Sequence, residues 1–181
     1  GIVFIPAAMC MAVTSPLSGR LSDKFGWRKF TVGGMLLASA GLGILSTLNE
    51  NSSAYIAYLA IIPISSGMGI FYGPNNSATL SVVGNENYGS VIGFINLIRN
   101  SGNIISISLS ALIVSSVMGS MGFAADLSNV VPNSSDGSVG AFVNGMKSTF
   151  ITVTIFTLCA AVLSSYKGHI KTTAVKDHSS S

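Results

Sequence analysis

The sequence predicts an all-α membrane protein with about five transmembrane helices. Only 8% of its 181 residues are charged and 49% are hydrophobic, whereas about a quarter of the residues in an ordinary soluble domain are charged. Five apolar stretches approach or exceed the ~20 residues that a helix needs to cross a bilayer. They are rich in Gly, Ala and Ser and lack the alternating pattern of barrel strands, so helices that satisfy their own backbone are favoured.

The five predicted spans follow one another through mostly short connectors. They cover about residues 1–18, 30–48, 54–83, 89–118 and 146–166. The chain starts with Gly1 inside an apolar run and has no signal-peptide pattern, so the first span looks truncated. Spans three and four are long enough to imply tilt, a break or an extension past the hydrocarbon, and Pro63 and Pro74 offer places to bend. Residues 167–181 are expected to be a disordered tail.

The distribution of charge predicts the orientation. Five crossings place the connector at 19–29 and the tail on the same side of the membrane. That side carries most of the basic residues, namely Arg20, Lys24, Arg28, Lys29, Lys167, Lys171 and Lys176. The opposite loops hold Glu50, Asp126 and Asp136, with Lys147 at the entrance of a span. Because cytoplasmic loops collect Lys and Arg, we expect a multi-pass protein of the cell membrane with a cytoplasmic C-terminus.

The connector at 19–29 contains the most specific motif of the chain. It reads Gly19-Arg20-Leu21-Ser22-Asp23-Lys24-Phe25-Gly26-Trp27-Arg28-Lys29 and fits G-x-L-x-D-[RK]-x-G-x-[RK]-[RK] at every specified position. It resembles the loop signature of the major facilitator superfamily, which recurs in both halves of those transporters. The alternative is that these basic residues only determine topology.

The physical interpretation of this signature loop (residues 19–29) is a charge latch. The Asp23 carboxylate can accept hydrogen bonds from Arg28 or from helix N-terminal amides. Gly19 and Gly26 permit close packing and a sharp turn. The resemblance implies that such a latch helps to hold the outward-facing state. The predicted gating residues are Gly19, Asp23, Gly26, Arg28 and Lys29.

A second resemblance runs through spans three and four. Its residues are Gly67, Gly69, Gly73-Pro74-Asn75, Gly89, Gly93, Asn96, Arg99 and Gly102, with Ser15-Pro16-Leu17-Ser18 before them and Gly140-Ala141-Phe142 after them. This pattern is similar to the fourteen-span drug:proton antiporter branch of the superfamily. The resemblance implies a piece matching spans ten to fourteen, most of the C-terminal bundle, whose partners are the missing N-terminal half, the lipid bilayer and a small-molecule substrate. A long external connector, here 119–145, also fits that branch.

The fourth span carries a polar stripe. Gly93, Asn96, Asn100 and Asn103 share one helical face, and a polar face within lipid must meet protein or water. Gly89 and Gly93 are expected to let another helix approach closely.

Arg99 lies about ten residues into this span, where it either snorkels or pairs structurally, or contributes directly to a cavity. Asn75 and Asn76 either line that cavity or satisfy carbonyls left by Pro74, and Tyr72 either packs or offers an aromatic face to substrate. The candidate substrate-binding residues are Tyr72, Asn75, Asn96, Arg99 and Asn103.

The acidic residues limit the mechanism. All six lie in predicted loops or the tail, namely Asp23, Glu50, Glu86, Asp126, Asp136 and Asp177. Because a proton relay normally needs a titratable group at membrane depth, a coupling carboxylate would have to lie in the missing portion. We therefore expect this piece, by itself, not to couple protons.

The expected function is proton-coupled export of drugs or other small amphipathic compounds by alternating access. The alternatives are a symporter or uniporter for a sugar or organic anion, and a non-transporting membrane scaffold. No enzyme, cofactor, metal or nucleic-acid pattern is present: His169 and His178 lie in the tail without a nucleophile or metal spacing, and the basic residues form no continuous face. Cys10 and Cys159 lie inside apolar stretches and are interpreted as small core residues.

Overall fold

The fold is all-helical, as the sequence predicts. The structure, a computed structural model, describes residues 4–49, 52–81, 83–123 and 137–166. Its elements are α1 (Phe4–Phe25), α2 (Trp27–Ser46), α3 (Ala54–Leu80), a short 3-10 turn (Asn85–Asn87), α4 (Tyr88–Ser120) and α5 (Ser138–Tyr166). Within these described ranges no strand occurs. The predicted tail and most of the predicted long connector lie outside the described residues.

Four of the described helices are long and apolar enough to cross a membrane. They are Trp27–Ser46, Tyr55–Leu80, Tyr88–Ser120 and Ser138–Ser165. They correspond to the second to fifth predicted spans. Helix α1, on its described residues, is not among them. The crossing of the first predicted span therefore stays a prediction.

The signature loop is almost entirely helical. Helix α1 continues through residues 19–25 and α2 begins at Trp27, so Gly26 alone separates them. Gly26 has a φ of 88°, a conformation that glycine adopts at little cost, and its N–H donates to the Ser22 carbonyl over 2.9 Å. The sequence predicts a connector of 11 residues here, whereas the chain turns at the single residue Gly26. The helices thus extend past their apolar portions.

Helices α2 and α3 cross at glycines. A Cβ atom added to Gly34 would lie 2.6 Å from the Gly67 carbonyl oxygen, and one added to Gly67 would lie 2.6 Å from the Ala38 nitrogen. About two turns further along the contact, a Cβ on Gly41 would lie 2.8 Å from the Ala60 carbonyl oxygen. Since lipid provides no hydrophobic force between helices, such close backbone approach is a main source of their association.

Helix α1 packs on the opposite side of α3. Ser18 Oγ donates to the Gly69 carbonyl over 3.3 Å, and a Cβ on Gly73 would meet Ser18 Oγ at 2.8 Å. Pro74 is almost fully buried beside this contact. Helix α3 continues through Pro63 and Pro74, so neither proline ends it.

Helix α5 packs on α2, and α4 packs on α5. The α4–α5 contact has a small apolar core of Val114, Met118 and Ala141. The ends of α2 and α5 meet in antiparallel fashion, because Arg28 donates to the Ser165 carbonyl at one end and Lys147 donates to Asn49 Oδ1 at the other. The helices therefore lie in the order α1, α3, α2, α5, α4.

Candidate functional site

The signature loop meets the last helix. The Arg28 guanidinium donates to the backbone carbonyl of Ser165, in the final turn of α5. The last four carbonyls of a helix lack intrahelical donors and carry partial negative charge, so a cation there is stabilising. The side chain of Asp23 lies outside the described residues, and its predicted pairing with Arg28 stays a prediction. Lys29 is exposed beside this contact.

Gly19 is not itself crowded by a described neighbour, and its predicted gating role stays a prediction. A Cβ on Gly19 would meet nothing within 4 Å, so its missing side chain does not itself permit close packing. The close approach is made from α3, where a Cβ on Gly73 would lie 3.2 Å from the Gly19 nitrogen. Gly26 supplies the turn. The two glycines of the loop are therefore not equivalent.

Two of the five predicted substrate-binding residues touch each other. The Arg99 guanidinium carbon lies 4.6 Å from the centroid of the Tyr72 ring, in cation–π contact between α4 and α3. Both side chains are partly buried. The Tyr72 ring also meets Phe71 edge-on, with centroids 5.5 Å apart. Arg99 is thus held on an aromatic face, rather than extended alone toward the interface.

The same face of α3 continues with two asparagines. Asn75 and Asn76 follow Tyr72 by three and four residues, so they lie one helical turn away on that face. The Asn75 carbonyl accepts from Thr79 Oγ1 over 2.8 Å. Asn76 Oδ1 is buried and has no hydrogen-bond partner among the described residues. Leaving such an acceptor unpaired costs about 1–3 kcal/mol, so this face favours a ligand or a further segment that brings a donor.

Asn96 and Asn103 flank Arg99 on α4, one turn before it and one turn after it. Both are exposed. Together with Arg99 they form a polar face that continues from Tyr72 and Asn75. We name these five residues the α3–α4 polar face. The first α4 residue of this face, Asn96, is the ninth of the 33 residues of α4.

No described helix packs closely against the predicted strip of Gly89 and Gly93 on α4, and the strip stays a prediction. A Cβ on Gly89 or Gly93 would meet nothing within 4 Å. These glycines are exposed, whereas the apolar core between α4 and α5 lies toward the other end of α4, at Val114 and Met118. Spacing alone therefore did not identify the glycines that pack.

Two features had little or no sequence signal. The Ser165 carbonyl acts as a backbone acceptor, and a backbone carbonyl has no side-chain identity that a motif could report. Asn76 was recognised only as a neighbour of Pro74, although its buried, unpaired oxygen makes it as notable as Asn75. Within the ranges that the structure describes, no cluster of three or more His, Cys, Asp and Glu residues could hold a metal ion.

Comparisons with known proteins give a family. The family model described as Major Facilitator Superfamily matches residues 1–107, which include the signature loop, Tyr72 and Arg99. The riboflavin transporter RibZ of Clostridioides difficile (strain 630) is 28% identical to the chain over 100 residues, which is 55% of this chain and 22% of that protein. The matched part of the chain thus spans less than a quarter of the length of this relative. No solved structure matches the chain.

Proposed function

The chain belongs to the major facilitator superfamily, and from this premise we propose that it contributes most of the C-terminal bundle of a secondary active transporter. The contact between Arg99 and Tyr72 carries the proposal. It joins two helices that pack mainly on different neighbours, and it lies beside an unpaired buried acceptor. In an alternating-access cycle, the α3–α4 polar face lines the path of a small-molecule substrate between this bundle and an N-terminal bundle outside residues 1–181.

The leading form of the proposal is proton-coupled export of drugs or other small amphipathic compounds. It is supported by the residue pattern shared with the drug:proton antiporter branch. Of the two acidic residues within described segments, Asp23 lies in the last turn of α1 and Glu86 in the short turn before α4. Both lie near helix ends, so the carboxylate that couples proton movement would lie outside this chain.

The cation–π contact also bears on the substrate. One face of the Tyr72 ring already holds a guanidinium, so a cationic substrate on that face would compete with Arg99 and meet its positive charge. A neutral or anionic planar compound could instead contact both side chains. This observation favours an aromatic or anionic substrate over a cation, and it supports the second candidate function, transport of an organic anion.

Flux through the natural full-length protein tests the proposal. Proteoliposomes would be assayed with a planar cationic dye, a planar anionic dye of similar size, and riboflavin, with and without a proton gradient. We expect Tyr72→Leu and Arg99→Gln to reduce flux of an accepted compound at least about tenfold, the effect of losing about 1.4 kcal/mol of stabilisation. Tyr58→Leu, which alters an exposed tyrosine on the same helix, is the matched control.

The outcomes separate the candidates. Gradient-driven movement of the cationic dye alone would favour drug export, and movement of the anionic dye alone would favour the organic-anion transporter. Absence of flux for every compound, with intact membrane insertion, would favour the scaffold. Equal losses in Tyr58→Leu and Tyr72→Leu would contradict a role for the α3–α4 polar face.

The proposed orientation places the signature loop and the C-terminus in the cytoplasm. The basic residues at the α1–α2 turn support it. A cysteine introduced at the exposed Lys24, in a protein with Cys10 and Cys159 replaced by Ser, should react with an impermeant maleimide only after cells are opened. Labelling of intact cells would overturn this orientation.

A further inference from the structure

A cleft of about 620 Å³ opens beside the signature loop. It lies between the start of α2 and the end of α5, and its walls include Phe25, Trp27, Arg28, Lys29, Val32 and Leu36. It is separate from the α3–α4 polar face, with which it shares no residue. Its position at the ends of membrane-crossing helices places its mouth at the level of lipid headgroups.

The mouth of the cleft is basic and aromatic. Arg28 and Lys29 supply two adjacent cations, and the 19–29 segment as a whole holds four basic residues against the single acid Asp23. The Trp27 and Phe25 side chains are 45% and 65% exposed, which is the placement that aromatic residues take at a membrane interface. Trp27 is the only tryptophan among the 181 residues.

The inner part of the cleft is apolar. Val32, Gly33 and Leu36 follow the cations along α2, and Leu36 is 49% exposed. At 1.5 Å per residue, Leu36 lies about 14 Å below Trp27 along the helix. A Cβ on Gly33 would meet nothing within 4 Å. The cleft is therefore cationic at its mouth and apolar along its inner part, and the apolar part is long enough for the upper part of an acyl chain.

We propose that this cleft binds an anionic phospholipid, with the headgroup phosphate at Lys29 and Arg28 and one acyl chain along Val32, Gly33 and Leu36. The pairing of two cations with an apolar groove selects this occupant. A free phosphate would use the cations but leave the groove without a partner, whereas a zwitterionic lipid would gain less from the adjacent positive charges. Because Arg28 also holds the Ser165 carbonyl, a lipid here would lie against the contact that joins α2 to α5.

Native mass spectrometry of the natural full-length protein in a mild detergent tests this site. The protein is incubated with equal amounts of phosphatidylglycerol and phosphatidylcholine that have the same acyl chains, and the ratio of bound lipids is measured. Lys29→Gln removes one cation, and Gly33→Leu adds a side chain to the groove at a position where a Cβ would meet nothing within 4 Å. Lys147→Gln and Gly43→Leu are matched controls, since Lys147 lies in a cleft at the other end of α5 and a Cβ on Gly43 also meets nothing.

We expect phosphatidylglycerol to be preferred and Lys29→Gln to lower that preference about fivefold, the effect of about one basic residue near an anionic headgroup. Gly33→Leu should lower total lipid retention, and both controls should leave the ratio unchanged. An equal ratio in the unsubstituted protein, or the same loss in Lys147→Gln as in Lys29→Gln, would overturn the proposal. Displacement of the lipid by excess glycerol phosphate would also overturn it, since it would show a headgroup-sized anion site. Binding is measured without flux, so its failure leaves the transport proposal untouched.

Discussion

The α2–α3 crossing and helix α4 use glycine in opposite ways. At the crossing, Gly34 and Gly67 face each other so closely that neither position has room for a side chain. On α4, Gly89 and Gly93 have the spacing typical of a close helix contact, yet open space surrounds both. The comparison teaches that glycine spacing in a membrane helix indicates a capacity for close approach, whereas its use depends on where along the helix a neighbouring helix approaches.

The difference has a functional side. The crowded glycines Gly34, Gly41 and Gly67 lie where α2 and α3 cross, and Gly145 of α5 is crowded by Val114 of α4. The open glycines precede exposed Asn96 and Asn103 on α4, the helix that also presents Arg99 to Tyr72. Exposed polar residues in a membrane helix are costly in lipid. This cost is consistent with the proposal that Asn96 and Asn103 line the substrate path.

The largest effect is expected at the crossing. Gly34→Leu should reduce the free energy of unfolding by about 3 kcal/mol or more, because the new side chain meets backbone atoms that cannot move without separating α2 from α3. Thermal stability of the purified protein in detergent measures this loss. Gly43→Leu on the same helix has open space around its Cβ and should stay close to the unsubstituted protein. Similar losses in both variants would refute the comparison.

A smaller effect is expected where α3 meets α4. In a double-mutant cycle of Tyr72→Leu and Arg99→Gln, the coupling free energy should be about 1–2 kcal/mol, because the cation–π contact is partly removed from water. Unfolding in SDS, followed by circular dichroism, gives the four stabilities. Arg20→Gln combined with Tyr72→Leu is the control and should show additive effects. Additivity in the Arg99 cycle would mean that the pair contributes no interaction energy.

The contact of the signature loop with α5 should contribute less. Arg28→Gln should cost about 0.5–1 kcal/mol, the usual value of a cation at a helix C-terminus, and it should speed amide exchange in the last turn of α5. Arg28→Lys should restore part of the charge effect, although a lysine cannot reproduce the planar guanidinium. Hydrogen exchange with mass spectrometry resolves that turn. Lys24→Gln, which alters an exposed cation on α1, should leave exchange in α5 unaltered.

The smallest effect is expected on the open face of α4. Gly93→Ala should change the free energy of unfolding by less than about 0.5 kcal/mol, as surface substitutions away from packed features usually do. Gly67→Ala, made in parallel, meets the Gly34 carbonyl and the Ala38 backbone and should cost clearly more in the same thermal assay. Equal destabilisation would show that the full-length protein packs closely against Gly93, and the substrate path would then have to lie elsewhere.

Much of the architecture could be predicted from the chain. The all-α class follows from apolar length, because each segment contains the information about whether it can span a bilayer and bond its own backbone. Four of the five predicted spans meet that condition in the structure. The first does not on its described residues. The ends of the helices were predicted less accurately, because helices continue beyond the hydrocarbon region of the membrane.

The site was predicted less fully. Tyr72 and Arg99 were named separately for their chemistry, and the structure brings them together across two helices. Asn96 and Asn103 were named for their shared helical face, which the backbone period alone predicts. Asn75 is among the predicted substrate-binding residues and Asn76 is not. The unpaired oxygen of Asn76 can be recognised only when its surroundings are known.

The sequence by itself determined a helical membrane protein, with charges gathered at one end and a glycine at the turn between α1 and α2. Tertiary structure alone decided which glycines are crowded, which aromatic face holds Arg99, and which carbonyl accepts from Arg28. The physical reason is the range of the interactions. The length of an apolar segment and the conformation of a turn depend on residues within one segment. The partner of a residue across a helix contact depends instead on how distant segments pack together.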